Sequence, residues 1–286
     1  MNELELIRKL ASRRQPRLGV VRGIGDDCAI LRVPTGDELL IHTDMTVEDV
    51  HFRCKTYTAT QIGQKTLARG LSDVAAMGGT PRWALVSLAL PKWAGEHFLD
   101  EFYDGMLGLA RRFRVSIVGG DLTRARQFMA DIVILGTAPR GKALRRDTAK
   151  PGDGIYVSGA LGHAAASQYL EVPEPRLALG YWLRKRASAC MDLSDGLAID
   201  LHRMCWESKV AADLDLAPPI SAGATLAQAL CGGEDYELLF TSSQRLPRSH
   251  QGLALTRIGT IVRGQRGRVR LQGKRLEPAG WDPFRS

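Results

Sequence analysis

The sequence predicts an α+β protein made of two domains. Strand-like and amphipathic helical segments follow one another without a strict βαβ alternation. The length of 286 residues exceeds what one hydrophobic core usually serves. The segment Arg140–Pro151 is polar, basic and bounded by Gly and Pro, as interdomain linkers often are. We therefore expect one domain over residues 1–140 and a second over residues 150–286.

The first half of the chain is predicted to hold three helices and four strands. The clearest helix covers residues 95–113, because Phe98 and Phe102 belong to a continuous apolar face. A second helix covers residues 60–77, with Thr60 as its N-cap. The other predicted elements of this half are a helix at residues 1–10 and strands at residues 38–41, 83–90, 115–118 and 131–138.

The second half is predicted to mix short strands and helices around Gly-containing turns. A polar motif at residues 192–196 comes between two of its helices. The predicted strands lie at residues 154–158, 210–216, 236–241, 257–262 and 268–271. The predicted helices lie at residues 164–170, at residues 176–189, from the polar motif to about residue 207, and at residues 225–230.

Charge and cysteine content narrow the class of protein. The net charge is +8, but the basic patches contain almost no aromatic residues that could stack on bases, so we expect no nucleic-acid partner. Five scattered cysteines without a CxxC pair indicate neither a disulfide framework nor a zinc site. There is no apolar run of about 18 residues and no secretory-type leader, so we expect a cytoplasmic protein that does not associate with membranes.

Aspartates recur in Gly-rich loops or directly after apolar strands. They are Asp26 and Asp27 in GIGDD, Asp44 in HTD, Asp121 in GGD, and Asp192 and Asp195 in MDLSDG. Asp73 lies on helix 60–77, opposite its apolar face. Each motif taken alone is also typical of ordinary turns. As a set, these oxygen ligands favour Mg²⁺, Mn²⁺ or Ca²⁺ over zinc, and acid-rich Mg²⁺ sites usually bind phosphates through the metal.

Several known phosphate-binding signatures are absent from the sequence. It contains no GxxxxGK[ST] P-loop, no protein-kinase catalytic loop and no GxGxxG dinucleotide fingerprint. A phosphoryl transfer by this chain would therefore use neither a P-loop fold nor a protein-kinase fold.

A series of motifs resembles those of the thiamine-monophosphate kinase family. In chain order they are GIGDDCAI, HTDMTVEDVHF, LARGLSDVAAMGG, VGGDLTR, AKPGDGIYVSGALGHAA, MDLSDGLAIDL, GGEDYELLFT and the tail GWDPF. The wider superfamily includes aminoimidazole ribonucleotide synthetase, selenophosphate synthetase and a hydrogenase-maturation dehydratase. The resemblance implies a two-domain aminoimidazole ribonucleotide synthetase-like fold, with an N-terminal mixed sheet or half-barrel and a C-terminal α/β sandwich. It also implies a homodimer formed through the N-terminal sheets.

The resemblance further implies ATP-dependent phosphorylation of thiamine monophosphate to thiamine diphosphate, with several Mg²⁺ ions. The Mg²⁺ ligands that it implies are Asp26, Thr43, Asp44, Asp73, Asp121, Asp192 and Asp195. The implied ATP contacts are Gly120, Asp121, Arg146 and Ser194, and the implied substrate contacts are His51, Glu234, Asp235 and Trp281. The N-terminal domain would bind metal and ATP and dimerise, and the C-terminal domain would complete the ATP and substrate site. No general base is assigned, because the acceptor phosphate is already ionised and nucleophilic.

Two residue assignments stay open at this level. Glu234 and Asp235 are adjacent, and either could contact the substrate. The family more often has a glycine where this chain has Thr148, so the ATP contact is either Arg145 or Arg146.

Simpler structural roles and other functions also remain open. Trp281 could pack the tail onto the core, and Ser194 could cap the helix that follows it. The alternative functions are another ATP-dependent enzyme of the superfamily, of the selenophosphate synthetase or hydrogenase-maturation type, or a basic nucleic-acid-binding protein.

Overall fold

The protein is described by a computed structural model that covers residues 3–13, 15–24 and 28–284. The chain divides into two compact units. The N-terminal unit comprises residues 1–74 and 79–141, and the C-terminal unit comprises residues 75–78 and 142–286. Both units combine helices with sheets, so the predicted α+β class is confirmed. In the described part of the chain, no helix has the length and apolar content to cross a bilayer.

The N-terminal unit is built on a five-stranded mixed sheet. Its elements, together with a helix that runs past its boundary, are α1 (Glu3–Ser12), β1 (Val20–Arg22), β2 (Ile30–Leu31), β3 (Asp37–Val47), α2 (Ala59–Ala76), β4 (Thr80–Leu90), α3 (Glu96–Phe113), β5 (Ser116–Gly119), β6 (Leu122–Arg124) and β7 (Met129–Pro139). The strand order is β3-β7-β4-β5, with β6 also beside β4, and β1 pairs with β2 separately. The very short strands β1, β2 and β6 escaped prediction because three or fewer residues carry too little alternation.

The two faces of this sheet differ. Strands β3 and β7 pair antiparallel without a register shift, so alternate side chains fall reliably on opposite faces. On one face helix α2 approaches closely: a Cβ on Gly70 would lie 2.7 Å from the Ile134 side chain. The other face of β3 leaves Leu39, Ile41 and Met45 exposed.

Helix α2 is capped two residues earlier than predicted. Thr58 Oγ1 accepts the Gln61 backbone N–H at 3.2 Å, and the Gln61 side-chain oxygen accepts the Thr58 N–H at 2.9 Å. This is the reciprocal capping box of Thr-x-x-Gln, whereas Thr60 already lies inside the helix. The predicted N-cap at Thr60 is therefore wrong, because the Thr58–Gln61 pair satisfies the first helical amides.

The C-terminal unit is built on an eight-stranded sheet. Its elements are β8 (Gly154–Ser158), α4 (His163–Ala166), α5 (Leu177–Leu183), β9 (Ala189–Asp192), α6 (Leu197–Glu207), β10 (Ala211–Leu214), α7 (Leu226–Cys231), β11 (Leu238–Ser242), β12 (Ser249–His250), β13 (Leu253–Val262), β14 (Val269–Leu271) and β15 (Lys274–Leu276). The order is β15-β14-β10-β13-β8-β11-β9, with β12 beside β13. Strand β9 therefore lies at one edge of this sheet, and the motif at residues 192–196 begins at its last residue.

Two predicted helices of this unit are shorter in the structure. Helix α4 makes a single turn, because Gln168 and Tyr169 adopt left-handed φ values of 54° and 64° and turn the chain away. The helix predicted for residues 176–189 ends at Leu183, since Ala189 is taken up by strand β9 and pairs with Thr241 of β11. In the second case a long-range contact overrides a locally helical pattern.

Candidate functional site

Three of the sequence motifs meet at one turn of the C-terminal unit. This turn, Ser194–Gly196, follows strand β9. The Glu234 backbone N–H donates to the Ser194 carbonyl at 2.7 Å, and the Trp281 N–H donates to the Asp195 carbonyl at 2.9 Å. The structure thus brings together the LSDG, GGED and GWDPF segments, which are far apart in the sequence.

Glycines make this convergence possible. A Cβ on Gly233 would lie 2.8 Å from the Ser194 carbonyl oxygen, and one on Gly280 would lie 2.3 Å from the Asp195 carbonyl oxygen. Real Cβ atoms do not approach so closely, and Gly233 also has a φ of 69° that favours glycine. The glycines beside the acidic pair and beside Trp281 therefore have a packing role at the turn.

The two acidic residues of the GGED segment differ in their surroundings. The Asp235 carboxylate accepts the backbone N–H of Gly162 at 2.7 Å and of Ala164 at 3.1 Å. Burial raises its pKa, although these two hydrogen bonds oppose the shift. Glu234 has a left-handed φ of 57°, an uncommon conformation for a non-glycine residue that is often found at functional sites.

The carboxylate of Asp195 is held by an arginine that sequence reasoning did not single out. The Arg203 guanidinium bonds to Asp195 Oδ2 and, at 2.9 Å, to Asp200 Oδ1. Asp200 is fully buried, and burial, with the charge of Asp195 as a lesser cause, raises its pKa to about 7. The available signal was Asp200 in the first turn of a helix with Arg203 three residues later.

The remaining predicted residues of this region lie at or near the turn. Asp192 ends strand β9 and is buried. Trp281 is 48% exposed, so it does not serve as a fully buried plug for the tail. Ser194 does not cap helix α6, which starts after Gly196 without a side-chain cap at that position.

The two candidate arginines of the linker also differ. Arg145 is paired with Asp147, with Nε 2.8 Å from the carboxylate oxygen. Arg146 is exposed, and no described residue forms a hydrogen bond or ion pair with its guanidinium. Arg145 is therefore committed to its neighbour, whereas the charge of Arg146 faces solvent.

In the N-terminal unit, strand β3 and helix α2 form a second cluster of polar side chains. His42 and Asp44 lie on the same face of β3, and Arg69 and Asp73 lie one helical turn apart on α2. Arg69 bonds to Asp44 at 2.9 Å, and His42 Nε2 lies 3.2 Å from Asp73 Oδ2. Burial, followed by the charge of Arg69, lowers the pKa of His42, so this ring is neutral at pH 7.

The GGD motif forms a tight turn after β5 beside strand β4. A Cβ on Gly120 would lie 1.9 Å from the Val86 carbonyl oxygen, and its φ is 147°, so this position requires glycine. Asp121 is exposed, and its Oδ1 accepts the Leu122 N–H at 2.9 Å. Sheet register places Asp44, Ile132 and Val86 in one row that ends beside Gly120.

Three other predicted residues have distinct positions. The Thr43 hydroxyl donates to Asp131 at 2.7 Å, on the sheet face opposite Asp44, because neighbouring side chains in a strand alternate. His51 Nδ1 accepts the Val47 N–H at 3.0 Å, so its neutral ring carries the proton on Nε2. Asp26 lies outside the described residues.

Comparison with known proteins defines first a class and then a family. Residues 25–138, most of which lie in the N-terminal unit, match the family model described as AIR synthase related protein, N-terminal domain. The thiamine-monophosphate kinase of Salmonella typhimurium is 39% identical over 91% of this chain and 87% of its own length. The chain belongs to the thiamine-monophosphate kinase family.

Solved structures agree with this assignment. The crystal structure of thiamine-monophosphate kinase from Stenotrophomonas maltophilia K279a is 36% identical, with a TM-score of 0.80 over 95% of this chain and 96% of that chain. A structure of AaThiL complexed with AMPPCP and TMP is 30% identical, with a TM-score of 0.79 over 98% of this chain and 96% of that chain. The fold implied by the sequence motifs is thereby confirmed.

Proposed function

We propose that this chain transfers the γ-phosphoryl group of ATP to thiamine monophosphate, giving thiamine diphosphate and ADP. The observation that carries the proposal is the meeting of three family motifs at the Ser194–Gly196 turn, in a member of this kinase family. The AaThiL complex with AMPPCP and TMP supports both substrates. The selenophosphate synthetase and hydrogenase-maturation alternatives are not favoured by these relatives.

The chemistry asks for positioning and charge neutralisation rather than for a general base. The acceptor is a phosphate that is already ionised, so it can attack the γ-phosphorus directly in line with the leaving ADP. Two unit charges about 4 Å apart repel by roughly 4 kcal/mol at an effective dielectric of about 20. The protein must therefore supply cations and fixed dipoles, and we expect no phosphorylated enzyme intermediate.

Mg²⁺ is the cation that fits the donor set. No group of three or more His, Cys, Asp or Glu residues that could cage a metal occurs among residues 3–13, 15–24 and 28–284. Mg²⁺ is commonly held by one or two carboxylates together with water and substrate phosphates, so dispersed aspartates suit it. The residues that would hold it are Asp26, Thr43, Asp44, Asp73, Asp121, Asp192 and Asp195. When bound, it would neutralise phosphate charge as the γ-phosphoryl group is transferred.

Thr43 and Asp44 cannot both bind one ion through their side chains. Their side chains point to opposite faces of β3, and the Thr43 hydroxyl is bonded to Asp131. We therefore propose that Thr43 offers its main-chain oxygen. Arg69 and Arg203 pair with Asp44 and Asp195, so each unit already balances part of the negative charge of a ligand.

The proposed nucleotide contacts are Gly120, Asp121, Arg146 and Ser194. Between the two linker arginines we choose Arg146, because Arg145 is engaged by Asp147. An exposed guanidinium can bind a phosphate with two parallel hydrogen bonds. The side chain missing at Gly120 allows close approach of its backbone to a ligand as well as to strand β4.

The proposed thiamine-phosphate contacts are His51, Glu234 and Trp281. Asp235 is assigned a supporting role, because its carboxylate is used by the backbone of Gly162 and Ala164. Trp281 is half exposed and can stack on a cationic ring, a contact worth roughly 0.5–2 kcal/mol. Glu234, which adjoins it through the Ser194–Gly196 turn, would add a negative charge for the same ring.

We propose the predicted domain roles together with a homodimer. The N-terminal unit supplies metal carboxylates and the dimer surface, and the C-terminal unit supplies further nucleotide contacts and the acceptor residues. The exposed apolar residues Leu39, Ile41 and Met45 on one face of β3 support dimerisation through this sheet. Replacement of Ile41 by Lys should yield monomers in sedimentation-velocity runs, and an unchanged sedimentation coefficient would contradict the assignment.

We also propose a cytoplasmic enzyme without a nucleic-acid partner. Some of the positive charge is committed to the protein itself: Arg184, Arg186 and Arg266 lie over the rings of Tyr181, Trp182 and Trp206. A guanidinium therefore occupies one face of each of these rings. DNA or RNA binding that persists in Asp121→Asn and weakens steeply with salt would contradict the proposal.

The proposed reaction is tested by mixing purified protein with ATP, Mg²⁺ and thiamine monophosphate. ADP and thiamine diphosphate are then measured in the same samples by chromatography. We expect both products in equal amounts and none in EDTA. Hydrolysis of ATP without formation of thiamine diphosphate would contradict the assignment of thiamine monophosphate as the acceptor. Full turnover in EDTA would contradict the metal requirement.

A further inference from the structure

The Ser194–Gly196 turn is held from inside the fold by one buried carboxylate. Asp200 is fully buried in the first turn of α6. Its Oδ2 accepts the backbone N–H of Asp195 at 3.1 Å and of Gly196 at 3.2 Å. A side chain thus fixes two successive peptide groups of the turn that precedes the helix.

The same two peptide groups also hold the acceptor-side residues. The first peptide joins the Ser194 carbonyl, which accepts the Glu234 N–H, to the Asp195 amide held by Asp200. The second joins the Asp195 carbonyl, which accepts the Trp281 N–H, to the Gly196 amide held by Asp200. A peptide group is planar, so fixing its N–H also fixes the direction of its C=O.

A separate contact controls the side chain of Asp195. Arg203 bonds at once to Asp195 Oδ2 and Asp200 Oδ1, and its side chain is 38% exposed. The guanidinium therefore sets where the Asp195 carboxylate points. In the described part of the chain, the Arg203 guanidinium forms no hydrogen bond with the backbone groups that hold Glu234 and Trp281.

We infer, resting on the proposed function for what each side binds, that Asp200 is a positioning residue that couples the two substrate sides. Through the two peptide groups it places Glu234 and Trp281 relative to the Asp195 turn. Arg203 positions the Asp195 carboxylate, and it contacts Asp200 at Oδ1, the oxygen that accepts neither amide. Supporting residues that orient a ligand-binding group typically change affinity or activity by about 10- to 100-fold when removed.

The experiment combines amide hydrogen exchange with steady-state kinetics. In Asp200→Ala, we expect exchange at the amides of residues 195, 196, 234 and 281 to become at least about tenfold faster. The KM values for ATP and for thiamine monophosphate should both rise, by on the order of tenfold. In Arg203→Met, exchange at these amides should stay slow, and only the KM for Mg-ATP should rise.

Two further variants distinguish the positioning role of Asp200 from a general loss of structure. Asp200→Asn keeps an oxygen that can accept both amides, so slow exchange and both KM values should be restored to within about threefold. If Asp200→Ala does not fold, this rescue still tests the inference. The matched control is Asp213→Asn, a carboxylate on β10 of the same unit, which should change neither exchange at the turn nor either KM.

The outcomes distinguish this inference from the proposed function. Unchanged exchange in a folded Asp200→Ala variant, or a rise in only one KM, would overturn the coupling role. Raised KM values in Asp200→Asn with slow exchange would show that charge rather than hydrogen bonding matters, and would overturn it too. If the wild-type protein makes no thiamine diphosphate, the proposed function fails, and the exchange data still test the positioning role of Asp200.

Discussion

Both units bond a proposed ligand carboxylate to an arginine, but the backbone beside the two carboxylates is held in different ways. In the N-terminal unit, Asp44 lies within strand β3, whose backbone pairs with β7, and its carboxylate is bonded by Arg69 on α2. In the C-terminal unit, the backbone around Asp195 is held by Asp200, Glu234 and Trp281 from three separate segments. A substitution in the first unit should therefore act locally. A substitution in the second should be felt on both substrate sides, because one turn connects them.

Among the substitutions that test this comparison, we expect the largest change in kcat at Asp121. Asp121→Asn should lower kcat by about 100-fold or more, because one fixed electrostatic contact in phosphoryl transfer is lost. The melting temperature should stay unchanged, since Asn can also accept the Leu122 N–H and the site is exposed. Asp104→Asn, on the exposed surface of α3, is the matched control and should retain full turnover. Normal activity of Asp121→Asn would contradict its role.

The next effect separates two neighbours in the GGED segment. Asp235→Ala should lower the free energy of unfolding by about 1–3 kcal/mol, because two backbone amides lose their acceptor. Glu234→Gln should destabilise the protein less than Asp235→Ala does and raise the KM for thiamine monophosphate about tenfold, or about 1.4 kcal/mol. Urea unfolding and kinetics of both variants check this. The reverse pattern would exchange the two roles.

A similar contrast is expected between the linker arginines. Arg146→Ala should raise the KM for ATP by roughly fivefold to tenfold, because a charge-assisted phosphate contact is lost. Arg145→Ala removes an exposed pair with Asp147 and should change the KM for ATP less than about twofold. Initial rates over a range of ATP concentrations decide between them, and equal effects would count against the choice of Arg146.

The smallest effect is purely structural and belongs to the N-terminal unit. Thr58→Ala should cost about 1 kcal/mol of stability, because it removes the N-cap of α2, and kinetic constants should stay unchanged. Thr60→Ala, inside the same helix, should not show this loss of a cap. Thermal unfolding of both variants measures the difference, and equal destabilisation would contradict the capping assignment.

Local patterns predicted all three helices of the N-terminal unit, but the strand predicted at residues 38–41 is only part of β3, which covers Asp37–Val47. Helix α3 and strands β4 and β7 followed from periodicity, because each buries a regular face. The predicted length of helix α5 was too great because Ala189 belongs to a strand that pairs with β11. This pairing joins residues distant in the sequence. Propensity carries no information about such pairing.

The candidate site shows the same division. Ser194 and Trp281 could be placed at a site only through the family resemblance, and their meeting depends on backbone hydrogen bonds that no spacing reveals. Asp200 and Arg203 were passed over because a helical acid–base pair is an ordinary surface feature in a sequence. Only the structure reveals that Asp200 is buried and faces the amides of the turn.

The most direct measurement of the central claim is a single-turnover reaction with ATP labelled at the γ-phosphate. Enzyme in excess over ATP is mixed with Mg²⁺ and thiamine monophosphate and quenched at short times. Direct transfer predicts that the label moves into thiamine diphosphate in step with ADP formation, with none on acid-precipitated protein. Label released as inorganic phosphate, or retained on a side chain of the protein, would contradict direct transfer to the thiamine phosphate.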